Sequence, residues 1–377
     1  MPTGSWFGAV DSPGGPIPLS LELAGDPPQF TIRNATERAV VPRTEHTDAG
    51  WRLFLDPYPA SIELSFTTDA ERVVGTWQRE RRGGEVDSLP LRLLHEGKPA
   101  KSIPGDAPAL DGRWRVTFSS DPDGVAVGVF ETVGTRIHGT ILTALGDYRY
   151  LEGYQDEFRF ELGCVDGTHA FRFSGRIDDD GAIQGDFWSG GTWHETFEAT
   201  RDPDVALPDA WAASEVVDAA ALADLTFPDL DGKPTRLGDL GTTQIVSLFG
   251  SWCPNCNDEA PLLQSLWQTH GSNGLSVVGL AFEHSGDPAK DRPRVRRFAD
   301  KHGVTYPLLL AGSFDKEAAS ASFPVLDRVR AFPTTLFVQD GKVVKVHTGF
   351  AGPATGPAHE LLVSEWRKLG DDLVGTP

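Results

Sequence analysis

The hydrophobic period changes once along this 377-residue chain, and the change fixes its gross organisation. From Gly4 to about Ala199 apolar and polar residues alternate, as in Leu19-Ser20-Leu21-Glu22-Leu23, Phe158-Arg159-Phe160-Glu161-Leu162 and Phe171-Arg172-Phe173-Ser174. Period-two alternation buries one face of a sheet and wets the other. Beyond Arg201-Asp202-Pro203-Asp204 and Leu207-Pro208-Asp209, short apolar runs alternate with helical patterns instead. One core rarely organises more than about 250–300 residues. The expectation is therefore an all-β domain over 1–200, a linker over 201–221 and an α/β layered domain over 222–377.

The first region repeats itself. Gly4-Ser5-Trp6 matches Gly112-Arg113-Trp114, and Phe30-Thr31-Ile32 matches Gly139-Thr140-Ile141. Leu64-Ser65-Phe66 likewise matches Phe173-Ser174-Gly175, and Gly75-Thr76-Trp77 matches Gly185-Asp186-Phe187. The near-constant offset predicts two copies of one antiparallel unit, over about 4–100 and 110–200. Asp123-Gly124, Asp166-Gly167 and Asp180-Gly181 mark turns between strands. Closing a sheet removes its exposed edges, which favours a barrel-like form over a sandwich. Trp6, Trp77, Trp114 and Trp188 recur in the two copies and are expected in the core rather than around a lipocalin-like cavity.

In the second region, Asp209–Leu222 is alanine-rich and suggests a short helix. Gln244–Phe249 and Leu275–Phe282 read as buried strands, and Asn257–His270 as a helix. Arg294–His302 reads as a second helix. Thr334–Val338 and Val343–His347 flank Asp340-Gly341 as a hairpin, and His359–Leu369 places Leu362, Trp366 and Leu369 on one helical face.

Charge narrows the function. With 34 Lys+Arg against 54 Asp+Glu, the formal charge of −20 leaves no broad basic face for nucleic acid or anionic lipid. The basic run Lys290–Arg297 reads as the solvated face of a helix. No apolar run approaches the roughly 18 residues that span a bilayer, so no transmembrane segment is expected. Met1–Trp6 has neither a basic nor an apolar leader region, so no secretion signal is expected in this sequence.

Three cysteines make no disulfide framework for a chain of this length. Cys253 and Cys256 are spaced C-x-x-C where a buried strand meets a helix, in Leu248-Phe249-Gly250-Ser251-Trp252-Cys253-Pro254-Asn255-Cys256. The first turn of a helix offers unpaired N–H groups and about half a positive charge, and both stabilise a thiolate. A thiol there is a nucleophile, and a second thiol one turn on resolves the mixed disulfide. Half of a zinc site is the competing reading. Cys164 and the scattered histidines supply no matching ligand pair for one. Cys164 itself, in Leu162-Gly163-Cys164-Val165-Asp166-Gly167, is expected in a turn with a structural or incidental role.

These residues resemble a family. Trp252-Cys253-x-x-Cys256 with Pro261 eight residues after Cys253 looks like the active site and kinked first helix of thioredoxin-like proteins. Phe332-Pro333-Thr334-Thr335 looks like the cis-proline segment that faces the sulfurs in that fold. Phe227-Pro228-Asp229-Leu230-Asp231-Gly232-Lys233, Leu237-Gly238-Asp239-Leu240 and a long insertion before the cis-proline segment resemble the TlpA/ResA (redoxin) branch. The resemblance covers about residues 222–370. It implies a thioredoxin-like domain with a central mixed sheet flanked by helices, fused to a β domain of unassigned role.

The implied activity is thiol–disulfide exchange on protein disulfides, in the reductase direction, with a Cys253–Cys256 redox disulfide and no cofactor. An oxidase or isomerase role stays open, since Pro254-Asn255 places proline first and the dipeptide tunes the potential. Ser247 stands six residues before Cys253, where thioredoxin has an acid. Glu283, at the end of the following strand, is the implied base for Cys256, with His284 as its alternative. Trp252, Pro254, Asn255 and Phe332 are the implied substrate contacts, and Thr334 serves the hairpin. The implied electron donor is membrane-embedded or thioredoxin-like, and the implied location is extracytoplasmic in bacteria.

Two other classes compete. A thiol peroxidase needs one low-pKa cysteine, but peroxiredoxins carry threonine three residues before it and here that residue is Gly250. A chaperone for copper or cytochrome maturation would use the β domain for recognition, yet the chain has one methionine.

Overall fold

The computed structural model describes residues 3–66, 71–81, 84–95, 109–134 and 136–375. Two compact units emerge. The first holds residues up to 143 and 148–207, and the second holds 144–147 together with 208 onwards.

The first unit is all-β. Gly4–Ser12 pairs antiparallel with Gly15–Ala24 and with Val86–His95, at the middle of an open nine-stranded sheet. The second sheet closes. Gly112–Phe118 pairs with Trp193–Arg201 on one side and Asp121–Val133 on the other, and Asp121–Val133 pairs onward with Arg136–Thr143. Eight strands thus return on themselves as a barrel, while the first copy stays a half-barrel. Equivalent strands keep equivalent residues inside: Trp6 and Trp114 are both buried, as are Trp77 and Phe187. Trp188 departs from the expected core position. It follows Phe187 on the same strand, faces the other way and stacks on His194 at 4.2 Å.

Aromatic side chains fill the barrel. Tyr148 lies 5.0–5.6 Å from Phe118, Phe171, Phe173 and Phe187, ring centre to ring centre. Cys164 is not in a turn. It lies within the strand Arg159–Val165 opposite Phe171, and burial holds its thiol well above the usual range.

In the second unit the expected helix over 209–222 contracts to a 3₁₀ turn, Ala219–Asp224, with Asp218 accepting from the Ala221 N–H. The residues before it turn and bend, with an isolated bridge between Val216 and Leu326 and the Val217 N–H donating to the Val325 carbonyl. A short hairpin follows, β1 (Thr226–Pro228) and β2 (Pro234–Arg236). The main elements are β3 (Gln244–Phe249), α1 (Pro254–His270), β4 (Ser276–Glu283), α2 (Pro288–His302) and β5 (Leu308–Ser313). After them come α3 (Lys316–Ser322), β6 (Thr334–Gln339), β7 (Lys342–Thr348) and α4 (Pro357–Val374).

The five main strands form a mixed sheet in the order β5-β4-β3-β6-β7, parallel between β3, β4 and β5 and antiparallel beyond β3 on the other side. This is the thioredoxin-like arrangement. Every residue of β3 is buried, the polar Gln244 and Ser247 included, as befits a central strand covered on both faces. Phe249 packs on Phe298 of α2 and Phe337 on Trp366 of α4. The basic residues of α2 lie on its exposed and half-buried faces, where Arg296 pairs with Asp231. In α/β sheets the loops at the carboxyl ends of parallel strands are where sites are built, and the β3–α1 loop is one of these.

Candidate active site

The chain leaves β3 at Phe249 and turns through Gly250 and Ser251. A Cβ at Gly250 would lie 2.2 Å from Trp252 Nε1, so the Trp252 ring folds back only over a glycine. That ring donates Nε1–H to the Phe282 carbonyl at 2.9 Å. Cys253 is the N-cap of α1, with Pro254 in the first turn where its missing N–H costs nothing. The Cys256 N–H donates to Cys253 Sγ at 3.2 Å, so the sulfur occupies the capping position of the helix. Cys253 and Cys256 form a disulfide across 5.2 Å between their Cα atoms. Both are nearly inaccessible, with Cys253 at 4% exposure and Cys256 at 1%.

Asn257 holds the loop from below. Its Nδ2 donates to the carbonyls of Ser251 and Cys253, and its Oδ1 accepts from His302 Nε2 at 2.8 Å. Burial holds His302 neutral, with its pKa pushed down to about 3.

The Phe332–Pro333 peptide is cis, and the Phe332 carbonyl oxygen lies 3.3 Å from Cys253 Sγ. Cys253, Cys256, Trp252, Pro254, Phe332 and Pro333 therefore come together at one end of the sheet. Phe332 and Pro333 are buried, and Trp252 is half-exposed. The Thr334 hydroxyl donates to the Ala331 carbonyl, closing the turn that carries Pro333. Asn255 turns elsewhere: its Nδ2 donates to the Phe350 carbonyl and to Asp147 Oδ2, which also accepts from the Gly352 N–H.

Glu283 is buried, and both its oxygens accept from Ser251, one from the N–H at 2.7 Å and the other from the hydroxyl at 2.8 Å. Desolvation raises its pKa to about 7, with Asp291 adding to the rise. The same two carboxyl groups border a cavity of about 180 Å³. Glu283 thus meets the cysteine loop through Ser251. His284 stacks on Phe314 and stands edge-on to Trp252.

A second buried carboxyl was not singled out by sequence. Glu259, three residues after Cys256 on α1, is 1% exposed. Its Oε2 accepts from Ser247 Oγ at 2.7 Å and its Oε1 from Thr335 Oγ1 at 2.6 Å. Burial pushes its pKa up to about 7 against those two hydrogen bonds. Ser247 does not leave the space beneath the site without an acid; it binds one supplied by the helix. The available signal was helical spacing, since residues i and i+3 share a face and Cys256 faces inward. Among the described residues no group of three or more His, Cys, Asp and Glu side chains gathers as a metal site.

Comparison with known proteins places this domain. Residues 215–359 match the Redoxin family model. Thiol-disulfide oxidoreductase ResA of Halalkalibacterium halodurans is 29% identical over 125 residues, which span 32% of this chain and 62% of that protein. The thioredoxin-like protein YneN of Bacillus subtilis is 28% identical, over 33% of this chain and 68% of its own length. The chain thus spans about three-fifths to two-thirds of these relatives. Among solved structures, a thiol:disulfide interchange protein from Chlorobium tepidum aligns over 45% of this chain and all of its own, at 21% identity and a TM-score of 0.31. A secreted Mycobacterium tuberculosis disulfide oxidoreductase aligns over 40% of this chain and 98% of its own, at 18% identity and a TM-score of 0.30.

Proposed function

We propose that this redoxin-domain protein is a thiol–disulfide oxidoreductase that reduces disulfides in protein substrates. One observation carries the reading: the Cys253 sulfur caps α1 beside the Phe332 carbonyl, with Cys256 bonded to it one turn on. In the reduced protein the helix N-terminus favours Cys253 as thiolate. That thiolate attacks one sulfur of a substrate disulfide, forming a mixed disulfide and expelling the other substrate thiolate. Cys256, once deprotonated, attacks Cys253 Sγ. The Cys253–Cys256 bond forms, the second substrate thiolate leaves, and two electrons have passed to the substrate.

Glu259 takes the proton of Cys256. A carboxyl with a pKa near 7 holds or releases a proton at neutral pH, and Glu259 lies on the helix that carries Cys256. Glu283 acts as a positioning residue, because both its hydrogen bonds run to Ser251 of the cysteine loop, whereas those of Glu259 run to Ser247 and Thr335 on the sheet. Trp252, Pro254 and Phe332 flank the substrate sulfur, and Asn255 braces the loop. The electron donor is membrane-embedded or thioredoxin-like, and the protein works outside the cytoplasm, where disulfides persist. The first unit recruits substrate or spaces the site. Insulin reduction is the test: Cys253→Ala removes it, and Cys256→Ala accumulates a mixed disulfide that dithiothreitol releases. Turnover by Cys253→Ala rejects the mechanism.

A further inference from the structure

On one side of the cysteines the surface is aromatic. Trp252 lies 5.1 Å from Phe314 and 6.0 Å from Phe332, both edge-on. Above Phe332 stands the ammonium group of Lys316, 4.0 Å from the ring centre. Lys316 is thus one side chain removed from the reacting sulfur, because the Phe332 carbonyl is the group beside Cys253 Sγ.

Lys316 is poorly explained by the stability of the fold. It opens α3, and a cation at a helix N-terminus opposes the helix dipole. Asp315, its neighbour, caps that helix by accepting from the Ala318 N–H. Among the described residues Lys316 has no ion-pair partner, in a chain carrying 54 acidic side chains. Its contact is the face of Phe332, a cation–π arrangement, and the residue is exposed. Partial desolvation lowers its pKa to about 8, so it remains mostly charged at neutral pH.

We propose that Lys316 selects substrate segments that carry a carboxylate side chain next to the cysteine attacked by Cys253. The inference rests on the exchange reading and deepens it by naming the substrate class. At a formal charge of −20 the protein as a whole repels acidic chains, so accepting one at this site requires a local cation. Trp252 and Phe314 supply the apolar surface for the same segment, and Lys316 supplies its charge reader.

Three disulfide-bridged peptides test this, identical except for glutamate, glutamine or lysine beside the bridged cysteine. The reduced wild-type protein should favour the glutamate peptide over the glutamine peptide about five-fold in kcat/KM, the scale of one partly exposed ion pair. The difference should lie in KM, and it should shrink as salt rises from 20 to 500 mM. In Lys316→Met the ratio falls to about one, and in Lys316→Glu the lysine peptide becomes the preferred one. Equal rates for the three peptides in the wild type, or a preference for lysine, reject the charge reading while leaving exchange intact. Failure to reduce any peptide rejects the exchange reading and this inference with it. The salt series uses the wild-type chain alone, so it decides the matter even if a variant does not fold.

Discussion

Ser247 on β3 donates its hydroxyl to the Glu259 carboxylate on α1 across 2.7 Å, at a point where both residues are buried. Thr335 on β6 donates to the other oxygen. Two strands and a helix thus hold one acid beneath the cysteine helix, with a pKa near neutrality. Glu259→Gln keeps the volume, and both hydroxyls can rotate to suit an amide. It removes the proton acceptor. Insulin reduction at pH 7 should fall about a hundred-fold, at the lower end of the range for general acid–base catalysis. Alkylation of Cys253 by iodoacetamide in the reduced protein should change little. A Glu259→Gln enzyme with wild-type turnover would remove the residue from the mechanism.

Glu283 should behave differently. Glu283→Ala leaves the Ser251 N–H and hydroxyl buried without their acceptor, which costs about 1–3 kcal/mol. Urea unfolding should show that loss, and Glu283→Gln should recover part of it. Activity should follow the repair of the loop. Recovery of stability in Glu283→Gln without recovery of activity would instead make Glu283 a proton carrier.

How much of this was legible in the sequence follows from where each signal lives. The β3 run, the Cys253/Cys256 spacing and Pro333 are contiguous signals, so they could be read directly. Glu259 was not, because its meaning depends on Ser247, 12 residues before it, and Thr335, 76 residues after it. Trp188 shows how a strand misleads: the copy-to-copy offset pairs Trp77 with Phe187, and one residue further the side chain points out of the sheet. Asp166-Gly167 marks a turn and so suggests one around Cys164, but Arg159–Val165 runs one residue past the cysteine. Barrel closure was unreadable for a related reason. It depends on Arg136–Thr143 pairing with Leu151–Asp156 as well as with Asp121–Val133, whereas its counterpart Gln29–Asn34 pairs onward with Glu37–Val40 at the edge of a sheet that stays open.

Cys164 gives a clean chemical prediction. It is fully buried in the barrel and its thiol is held far above the usual range, so it should be inert in the folded protein. A disulfide-reactive chromogen added to the reduced native protein should not titrate it; the third thiol should appear only in denaturant. Cys164→Ala should leave insulin reduction intact. Native-state labelling of Cys164 would contradict its burial.

The two glutamates also tie stability to pH. Each has a folded-state pKa of about 7 against an ordinary value of 4.5. Below the ordinary value both groups are protonated whether folded or unfolded, and neither costs anything. Between about 4.5 and 7 the unfolded chain releases protons that the folded chain keeps, so the unfolded state is favoured progressively. Above about 7 the folded carboxyls ionise too, and the penalty stops growing. A rise of that size corresponds to roughly 3 kcal/mol per group. Stability from urea unfolding of the oxidised protein should therefore decline from pH 5 to pH 7 and then level off in this contribution. Glu259→Gln and Glu283→Gln should each flatten the decline, because the amide does not titrate in either state. A decline that is equally steep in both variants would place its origin in other groups and return both carboxyls to ordinary acidity.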